Sequence, residues 1–264
     1  MRRPGTRRFV RRALSIAPVP LLALLTFTTA FAQQPSGVTE EANKMHDLFN
    51  FVNILAILVF VLVAGALVVA LIRFRKTDDE LPKQVHGSTV LEMLWVGIPV
   101  LLTIIMFSYS IVVLVDVNDE AEPEDLTVQV LGFQFQWQFT YNLNDLGTNT
   151  DANAEGSFQV SGRPGDEPEL VIPVGEPVEF ELLSNDVIHS FYIRDFLYKL
   201  DVIPGRDNAF KVTANKTGTF HGQCAELCGV DHSLMRFTIR IVTREEFDAW
   251  VAEQAGEAAS VRQP

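Results

Sequence analysis

Two long runs of hydrophobic residues dominate the first half of the chain. Residues 51–72 are 22 residues without a charged side chain, and residues 93–115 are 23 such residues. An α-helix rises about 1.5 Å per residue, so each run forms a helix of roughly 33 Å, enough to cross the hydrocarbon core of a bilayer. The pattern therefore predicts two transmembrane helices, which form a hairpin within residues 33–117.

A third apolar run lies at the N-terminus and has a different character. Residues 1–12 contain six arginines and no acidic residue, and the mostly apolar residues 13–31 lead into the small-x-small motif Ala-Phe-Ala. This order is typical of a secretory signal peptide, so we predict that residues 1–32 are removed. The alternative is a further membrane anchor, which Pro18 and Pro20 make less favourable because proline interrupts a helix.

Charged residues on either side of the two spans predict their orientation. The connecting loop is basic, with Arg73, Arg75, Lys76 and Lys83, whereas the sequence directly after the second span reads DVNDEAEPED. Cytoplasmic loops of membrane proteins are enriched in lysine and arginine. We therefore expect this loop to be cytoplasmic and both termini to lie on the outer side of the plasma membrane.

After the second span, the hydrophobic pattern changes to the period of two that is typical of β-strands. Even-numbered residues are apolar in residues 127–130, but odd-numbered residues are aromatic in residues 133–141. This change of phase predicts a β-bulge at residues 131–132. Further strands are predicted at residues 170–174, 178–183, 190–194, 209–213, 217–221 and 236–242. About seven or eight strands in residues 118–243 indicate an all-β Greek-key sandwich or barrel.

Two segments outside these strands are assigned other structures. Residues 142–169 are rich in Asn, Asp and Gly, which predicts a surface excursion between strands. The C-terminal residues 244–264 are predicted to form a short amphipathic helix that turns Phe247, Trp250 and Val251 inward, followed by a tail.

The negative charge of the chain is concentrated in its outer domain. The net charge of the whole chain is −12, and residues 116–264 alone hold 26 acidic against 10 basic residues, a net of −16. A negative surface attracts cationic partners and repels nucleic acid, so a nucleic-acid partner is not expected. Alternatively, most of these acidic residues only keep the domain soluble.

The only two cysteines lie between the last two predicted strands, in the segment 221–235 with the sequence HGQCAELCGVDHSLM. Four kinds of site compete here. A disulfide is common in exported proteins, but it leaves the nearby His232 and Met235 without a function. A thiol-redox pair usually has C-x-x-C spacing at the start of a helix, and this segment has neither feature. Structural zinc accepts two thiolates and two histidines, but it gains little from the thioether of Met235.

Copper is the fourth possibility, and it uses every candidate ligand in this loop. Thiolate, thioether and imidazole groups all suit copper. If Cys224 and Cys228 both act as bridges, two copper ions share them, and each ion is completed by one histidine and one weaker axial group. His232 and Met235 supply one histidine and one weak ligand. Two ions that share one oxidising equivalent need little movement on reduction, which favours fast electron transfer.

Such a pair of copper ions needs a second histidine and a second weak ligand. His189 is the candidate histidine, because His46 and His86 flank the membrane spans and His221 would point down a strand. It lies 35 residues before Cys224 in the chain, on a neighbouring strand end in a sandwich. The backbone carbonyl of Glu226, between the two cysteines, is the candidate for the weak ligand.

Together these residues resemble a known family. The metal loop has the pattern C-x-E-x-C-x-x-x-H-x-x-M over residues 224–235, with DVIH at residues 186–189 and DVIPGR at residues 201–206. This combination is similar to subunit II of the haem-copper cytochrome c oxidases, with its dinuclear CuA centre. The resemblance covers nearly all of the mature chain, including the helix hairpin, and the pattern of the metal loop is highly specific.

The resemblance implies a fold, a function and partners. The outer domain would be a cupredoxin-like sandwich that takes electrons from cytochrome c and passes them to haem in subunit I, where dioxygen is reduced to water. Subunit I, subunit III, membrane lipid and the cytochrome c donor would be its partners. The Glu226 carboxylate would also reach a magnesium ion at the interface with subunit I. The copper ligands would be His189, Cys224, Cys228, His232, Met235 and the Glu226 carbonyl.

Two further positions follow from the resemblance. Glu92 falls on the family's E-x-x-W pattern, where the glutamate marks the start of a proton path; alternatively, it is a solvated acid at a helix end. The family's aromatic strand commonly reads G-H-Q-W-Y-W, and its first tryptophan receives the electron from cytochrome c. Residues 132–137 read GFQFQW, so Phe135 replaces that tryptophan and Trp137 matches the second. This difference raises the alternative of a donor haem held permanently in a supercomplex.

Three other kinds of protein share parts of this pattern. A quinol-oxidase subunit of the same shape would lack the two cysteines. A copper-delivery protein would need a labile, exposed site that releases its metal to a mild chelator. A purely structural subunit would hold a disulfide and no metal. Oxygen reduction within this chain is not expected, because a haem and an oxygen-binding copper need histidines that the chain lacks.

Overall fold

The structure is a computed structural model that describes residues 37–75, 84, 86–118, 122, 125–142, 157–163 and 165–261. The described residues belong to one unit of the chain, residues 37–264. The predicted signal peptide, the two lysines of the connecting loop and most of the segment 142–169 lie outside the described residues.

Two long helices precede the β-domain. Helix α1 spans Glu40–Arg73 and helix α2 spans Thr89–Val117. Both are long and apolar enough to cross a membrane, and the side chains of their apolar segments are almost entirely exposed. Surfaces this hydrophobic are stable against lipid or another protein rather than against water. The structure therefore agrees with the prediction of two membrane helices.

Helix α1 begins well before its predicted span, and capping explains where it starts. The hydroxyl oxygen of Thr39 accepts a hydrogen bond from the backbone N–H of Ala42 at 3.0 Å. Glu40 and Glu41 occupy the first turn, where the helix dipole favours negative charge. The first turns of α1 therefore form a stable extension beyond the apolar span.

This extension is attached to the β-domain by hydrogen bonds. The backbone N–H of Val38 donates to the carbonyl of Asp195 at 3.1 Å, and its carbonyl accepts from the N–H of Asn215 at 2.9 Å. The carboxylate of Glu41 accepts from the backbone N–H of Thr213 at 3.0 Å. These contacts fix the start of the helix hairpin to the β-domain.

Within the described residues, the β-domain has ten strands in two five-stranded sheets. The strands are β1 Leu126–Phe133, β2 Gln136–Asn142, β3 Ser157–Ser161, β4 Glu169–Pro173, β5 Pro177–Ser184, β6 His189–Ile193, β7 Tyr198–Val202, β8 Asn208–Thr213, β9 Gly218–Cys224 and β10 Arg236–Val242. The first sheet has the order β3-β2-β1-β5-β8, and the second has the order β4-β10-β9-β6-β7. The pairs β1–β5 and β4–β10 are parallel, and the others are antiparallel. The predicted all-β, cupredoxin-like sandwich is therefore confirmed.

Aromatic side chains fill much of the space between the two sheets. Trp137, Phe139 and Tyr141 alternate along β2 and are all fully buried. Phe191 on β6 stacks on Phe237 on β10, with ring centroids 4.7 Å apart. Burying such rings removes large apolar areas from water, so this layer is a main source of stability for the sandwich.

The predicted bulge at residues 131–132 is wrong, because the change of phase marks a hairpin. β1 ends at Phe133, a two-residue turn follows, and β2 returns antiparallel with Phe133 opposite Gln136. Residues directly opposite each other point to the same face of a sheet, so the next pair, Gly132 and Trp137, both face inward. A two-residue turn thereby shifts the inward positions from even to odd numbers.

Strands β3 and β7 are not predicted by the hydrophobic pattern, and both lie at sheet edges. β3 falls within the segment 142–169, which the pattern assigns to a surface excursion. β7 has only one buried residue, Val202. An edge strand that buries few side chains carries a weak alternation signal, so its identity depends on pairing with its neighbour.

The C-terminal helix α3 spans Arg244–Val261. Phe247 is buried, and Trp250 and Val251 pack against the core of the sandwich. The ring of Trp250 meets that of Tyr141 edge-on at 5.1 Å. The three predicted inward positions therefore face the core, and α3 packs beside β3 and β4.

Candidate metal centre

Strand pairing in the second sheet brings the predicted ligands to one end of the sandwich. β9 ends at Cys224 and β10 begins directly after Met235, and the backbone N–H of Cys224 donates to the Met235 carbonyl at 2.9 Å. β6 begins at His189 and pairs with β9, with Phe191 opposite Cys224. The start of β6 therefore lies beside the end of β9, which places His189 next to the cysteine loop.

Two thiols and two imidazoles meet at this point. The sulfur atoms of Cys224 and Cys228 are 4.0 Å apart. His189 Nδ1 lies 3.9 Å from the sulfur of Cys224, and His232 Nδ1 lies 3.6 Å from the sulfur of Cys228. Each sulfur therefore contacts one ring nitrogen.

The two weaker predicted ligands complete the cluster. Met235 Sδ lies 3.8 Å from the sulfur of Cys228, and the carbonyl oxygen of Glu226 lies 3.3 Å from the sulfur of Cys224. Each sulfur thus has one imidazole and one weak donor beside it. The structure brings all six predicted ligand groups together.

The chemistry of this cluster fits a thiophilic metal. His189, Cys224, Cys228 and Met235 are buried, and both cysteines are free. The sulfur atoms are separated by about twice the roughly 2.05 Å of a disulfide bond. A ring nitrogen of His189 and the two sulfurs lie within 4.8 Å of one another, as the ligands of a bound ion would. Buried soft ligands in this arrangement suit copper or zinc.

Burial and hydrogen bonding move the pKa values of the two thiols in opposite directions. Burial raises the pKa of Cys224, but hydrogen bonds with His189 and with the backbone of Glu226 and Ser190 lower it to about 7. Burial and the neighbouring charge of Cys224 raise the pKa of Cys228 to about 12. Two adjacent thiolates are therefore unfavourable without a cation, because their negative charges repel each other. A bound metal ion would offset this repulsion and displace the thiol protons.

Asp186 holds His189 in the orientation that presents Nδ1 to the sulfurs. Asp186 Oδ1 lies 2.8 Å from His189 Nε2 and also accepts the backbone N–H of Val187 at 2.6 Å. Burial lowers the pKa of His189, but hydrogen bonds with Cys224 and Asp186 outweigh it, so the pKa is raised. The sequence motif DVIH predicts His189 as a ligand, but it did not predict that Asp186 orients the histidine ring. The only signal of this in the sequence is a carboxylate three residues before the histidine.

Trp137 packs against the centre from inside the sandwich. It is fully buried, and its Nε1 donates to the carbonyl of Met235 at 3.4 Å. Its ring lies edge-on to that of His189, with centroids 6.1 Å apart. Gly132 leaves room for both rings, because a Cβ at this position would lie 3.1 Å from Trp137 and 3.3 Å from His189. Trp137 therefore contacts two of the predicted ligands.

Phe135, the other predicted electron-transfer residue, lies in the β1–β2 turn rather than within a strand. Its half-buried ring faces Gly229, since a Cβ on Gly229 would lie 2.7 Å from the ring. Phe135 therefore covers part of the metal loop, between Cys228 and His232.

The two predicted carboxylates lie in different places. Glu92 is exposed in the first turn of α2, at the opposite end of this helix from the β-domain, and a helix of this length spans about 44 Å. The Glu226 carboxylate is close to the centre, 3.6 Å from Lys199 Nζ, which also lies 3.1 Å from Asp201. Glu92 is thus not part of the centre, and the Glu226 carboxylate is paired with a lysine.

Two family profiles match the chain. The profile for the periplasmic domain of cytochrome c oxidase subunit II matches residues 126–242, which include all ten described strands. The profile for the transmembrane domain of cytochrome c oxidase subunit II matches residues 27–113. Together the two matches cover the helix hairpin and the β-sandwich.

Individual relatives agree with these profiles. The chain is 35% identical to the probable cytochrome c oxidase subunit 2 of Streptomyces coelicolor, over 94% of this chain and 89% of that one. It is 36% identical to cytochrome c oxidase subunit 2 of Alkalihalophilus pseudofirmus, over 88% of this chain and 64% of the relative. The crystal structure of the periplasmic domain of cytochrome oxidase subunit II from Bradyrhizobium japonicum is 34% identical, with a TM-score of 0.44, and the match covers 52% of this chain and 99% of that domain. The chain belongs to the cytochrome c oxidase subunit II family.

Proposed function

We propose that this chain is the electron-accepting subunit of a terminal cytochrome c oxidase. It accepts electrons from cytochrome c at a dinuclear copper centre, CuA, and passes them to haem in subunit I, where dioxygen is reduced to water. The observation that carries this proposal is the buried cluster in which each of two free thiols contacts one imidazole nitrogen and one weak donor.

The ligand set favours a pair of copper ions over one zinc ion. Structural zinc is almost always held by four ligands, and the two thiols and two imidazoles would satisfy it. Met235 Sδ and the Glu226 carbonyl also face the sulfurs, however, which makes six groups in all. Two copper ions that shared both thiolates would use every one of these groups, since copper also accepts thioether and carbonyl ligands.

The residues that would hold the two ions are His189, Cys224, Cys228, His232, Met235 and the backbone carbonyl of Glu226. When bound, the copper pair supplies a one-electron store that is shared between two metal ions. The protein excludes water from this store and holds its ligands in place through Asp186 and Trp137. Ligands that move little when the charge of the centre changes favour fast electron transfer.

Electrons arrive from a donor that carries haem c. The strongly acidic outer domain attracts a cationic donor such as cytochrome c. Trp137 contacts the Met235 carbonyl and Phe135 lies against Gly229 of the metal loop, so both residues would lie on the electron's path. Phe135 replaces the tryptophan that receives the electron from cytochrome c elsewhere in the family. The proposal therefore covers two kinds of donor, a diffusing cytochrome c and a haem c protein held at the membrane in a supercomplex.

The remaining parts of the chain place the centre at the membrane. Helices α1 and α2 anchor it in the plasma membrane with both termini on the outer side, and their exposed apolar faces contact lipid and oxidase subunits I and III. The Glu226 carboxylate, which is paired with Lys199 here, would hold a magnesium ion at the interface with subunit I. Glu92, at the cytoplasmic end of α2, marks the start of a proton path.

The decisive experiment uses the full-length chain, purified in detergent and loaded with copper. We expect two copper ions per chain and an EPR spectrum in which one unpaired electron is shared equally by both nuclei. Retention under a mild chelator separates this centre from the labile site of a copper-delivery protein. One copper ion with splitting from a single nucleus, or a disulfide between Cys224 and Cys228 without metal, would refute the proposal.

A further inference from the structure

The turn between β1 and β2 contacts both loops that carry the proposed copper ligands, although it holds no ligand itself. We call its two residues, Gln134 and Phe135, the clasp. The backbone N–H of Gln134 donates to Asp186 Oδ2 at 2.7 Å, and its side-chain Nε2 donates to the carbonyl of Cys228. Asp186 in turn binds His189 through its other oxygen. One residue therefore links the His189 loop to the cysteine loop.

Packing supports the same link. The ring of Phe135 lies against Gly229, the residue directly after Cys228, where a Cβ would be 2.7 Å from the ring and 3.1 Å from Gln134 Nε2. Gly229 has a φ of 141°, a backbone conformation that side chains with a Cβ rarely adopt. The metal loop thus has no side chain at Gly229, where the ring of Phe135 lies against it.

Both ligand loops need such support, because strand pairing does not hold them at these points. Residues 185–188 and 226–231 lie outside the strands, the latter after a last backbone bond from the Ala225 N–H to the Ser190 carbonyl on β6. Ligands on loops keep a defined geometry only when other groups fix their backbone. The clasp belongs to the opposite sheet, so it fixes the two loops relative to each other from a separate, rigid element.

We propose that Gln134 is a positioning residue of the copper centre, which holds the Cys228 backbone in register with the His189 loop through the clasp. The inference rests on the proposed function, because it concerns how the copper ligands are held. Gln134 is not proposed as a copper ligand, because its side chain contacts the carbonyl of Cys228 and not the sulfur.

The test compares Gln134→Leu with Gln138→Leu in the full-length, copper-loaded chain. Gln134 is exposed, so its replacement leaves the core intact, and its backbone bond to Asp186 remains. Gln138 lies on β2 of the same hairpin and is half-buried, which makes it a matched control. The measurements are the rate of copper loss to a chelator, the copper hyperfine splitting and the reduction potential.

We expect both variants to bind two copper ions, and Gln134→Leu to lose them about fivefold to tenfold faster, which corresponds to one net hydrogen bond. Its hyperfine splitting and potential should shift as well, whereas Gln138→Leu should match the parent. Gln134→Glu is the second variant: it keeps the size of the side chain but turns an oxygen toward the Cys228 carbonyl. It should change all three quantities in the same direction as Gln134→Leu.

The possible outcomes separate this inference from the function on which it rests. Parent-like loss rates and spectra in both Gln134 variants would overturn the positioning function while leaving the copper centre intact. Equal changes in Gln138→Leu would overturn it too, since a general loss of stability would then explain them. If the parent chain binds no copper pair, the proposed function fails and this inference falls with it.

Discussion

At the scale of single residues, His189 depends on groups that are not themselves ligands. Asp186 binds its Nε2, and Gly132 leaves the space that its ring and that of Trp137 occupy. A buried imidazole is stable only when its nitrogens have partners, so the hydrogen bond to Asp186 both stabilises the ring and fixes Nδ1 toward the sulfurs.

The first prediction concerns the two shared sulfurs. Cys224→Ser and Cys228→Ser each replace a thiolate with a hydroxyl, which is a poor copper ligand. We expect one copper ion per chain in either variant, with EPR splitting from a single nucleus. Leu227→Ser, at an exposed position between the cysteines, is the control and should keep two ions. Two ions retained in both cysteine variants would argue against shared thiolates.

The second prediction concerns the space beside the histidine. In Gly132→Ala, the new Cβ would lie 3.1 Å from Trp137 and 3.3 Å from His189, so these rings must give way by a few tenths of an ångström. Overpacking of this kind costs about 1–3 kcal/mol. We expect a lower unfolding temperature and faster copper loss. Gly256→Ala on α3 has no atom within 4 Å of its new Cβ and should not lower the unfolding temperature, since alanine favours a helix.

At the scale of elements, hydrogen bonds from one strand connect the two sheets. Tyr141 on β2 of the first sheet donates to the carbonyl of Val171 at 3.0 Å and accepts from its N–H at 2.8 Å, on β4 of the second sheet. Burial raises the pKa of Tyr141 far above its usual value, so the hydroxyl keeps its proton. An edge strand is thereby fastened to the opposite sheet.

The third prediction tests this connection. Tyr141→Phe leaves both backbone groups of Val171 without their partner, which costs about 1–3 kcal/mol when the groups stay buried. We expect a lower unfolding temperature with an unchanged copper spectrum, because Tyr141 does not contact the predicted ligands. Tyr192→Phe, at a half-buried position on β6, is the control. Equal stability of the two variants would show that water replaces the lost bonds.

The fourth prediction concerns the acidic outer side of the first sheet. Burial, followed by the charges of Glu181 and Asp125, raises the pKa of Glu179 on β5. The folded chain therefore binds this proton more tightly than the unfolded chain, and ionised Glu179 destabilises the fold above that pKa.

Glu179→Gln should accordingly raise the unfolding temperature at pH 7. The gain should disappear as the pH falls below about 4, where the carboxyl is protonated in both states. Glu253→Gln on α3, an exposed position, should change little at either pH. A pH-independent gain in Glu179→Gln would mean that the charge is not its cause.

At the scale of the whole molecule, the membrane hairpin and the β-domain are joined at more than one place. Glu41 at the start of α1 accepts a hydrogen bond from Thr213 on β8. Asn118, directly after α2, accepts one from the hydroxyl of Tyr198 on β7 at 3.3 Å. The helices themselves are linked by the ion pair of Lys44 and Asp116 at 3.3 Å. These contacts hold the β-domain, with the proposed copper centre, in a defined position relative to the two helices.

The fifth prediction belongs to this scale because it depends on the total charge. Electron transfer from a basic, diffusing cytochrome c to the assembled oxidase should slow markedly as ionic strength rises, since salt screens the attraction of the acidic domain. A small neutral reductant should show no such effect. Salt-independent turnover with the native donor would instead favour a donor that is held in a supercomplex.

Local patterns in the sequence were enough to predict the two helices, most of the strands and the six candidate ligands. Five of those ligands lie in the metal loop itself, within the twelve residues 224–235. The sixth, His189, follows from the number of ligands that a copper pair needs. Membrane helices and a compact ligand loop both depend on residues close in the chain, so their signal is contained in short windows.

Only the tertiary structure decided how the centre is held. The hairpin in place of a bulge and the edge strands β3 and β7 depend on pairing between successive strands, whereas the contacts of Gln134 and Trp137 join distant parts of the chain. The bonds from Gln134 to Asp186 and Cys228 span 52 and 94 residues, and the bond from Trp137 to Met235 spans 98. No local period encodes such pairs, because they form only when the two sheets pack against each other.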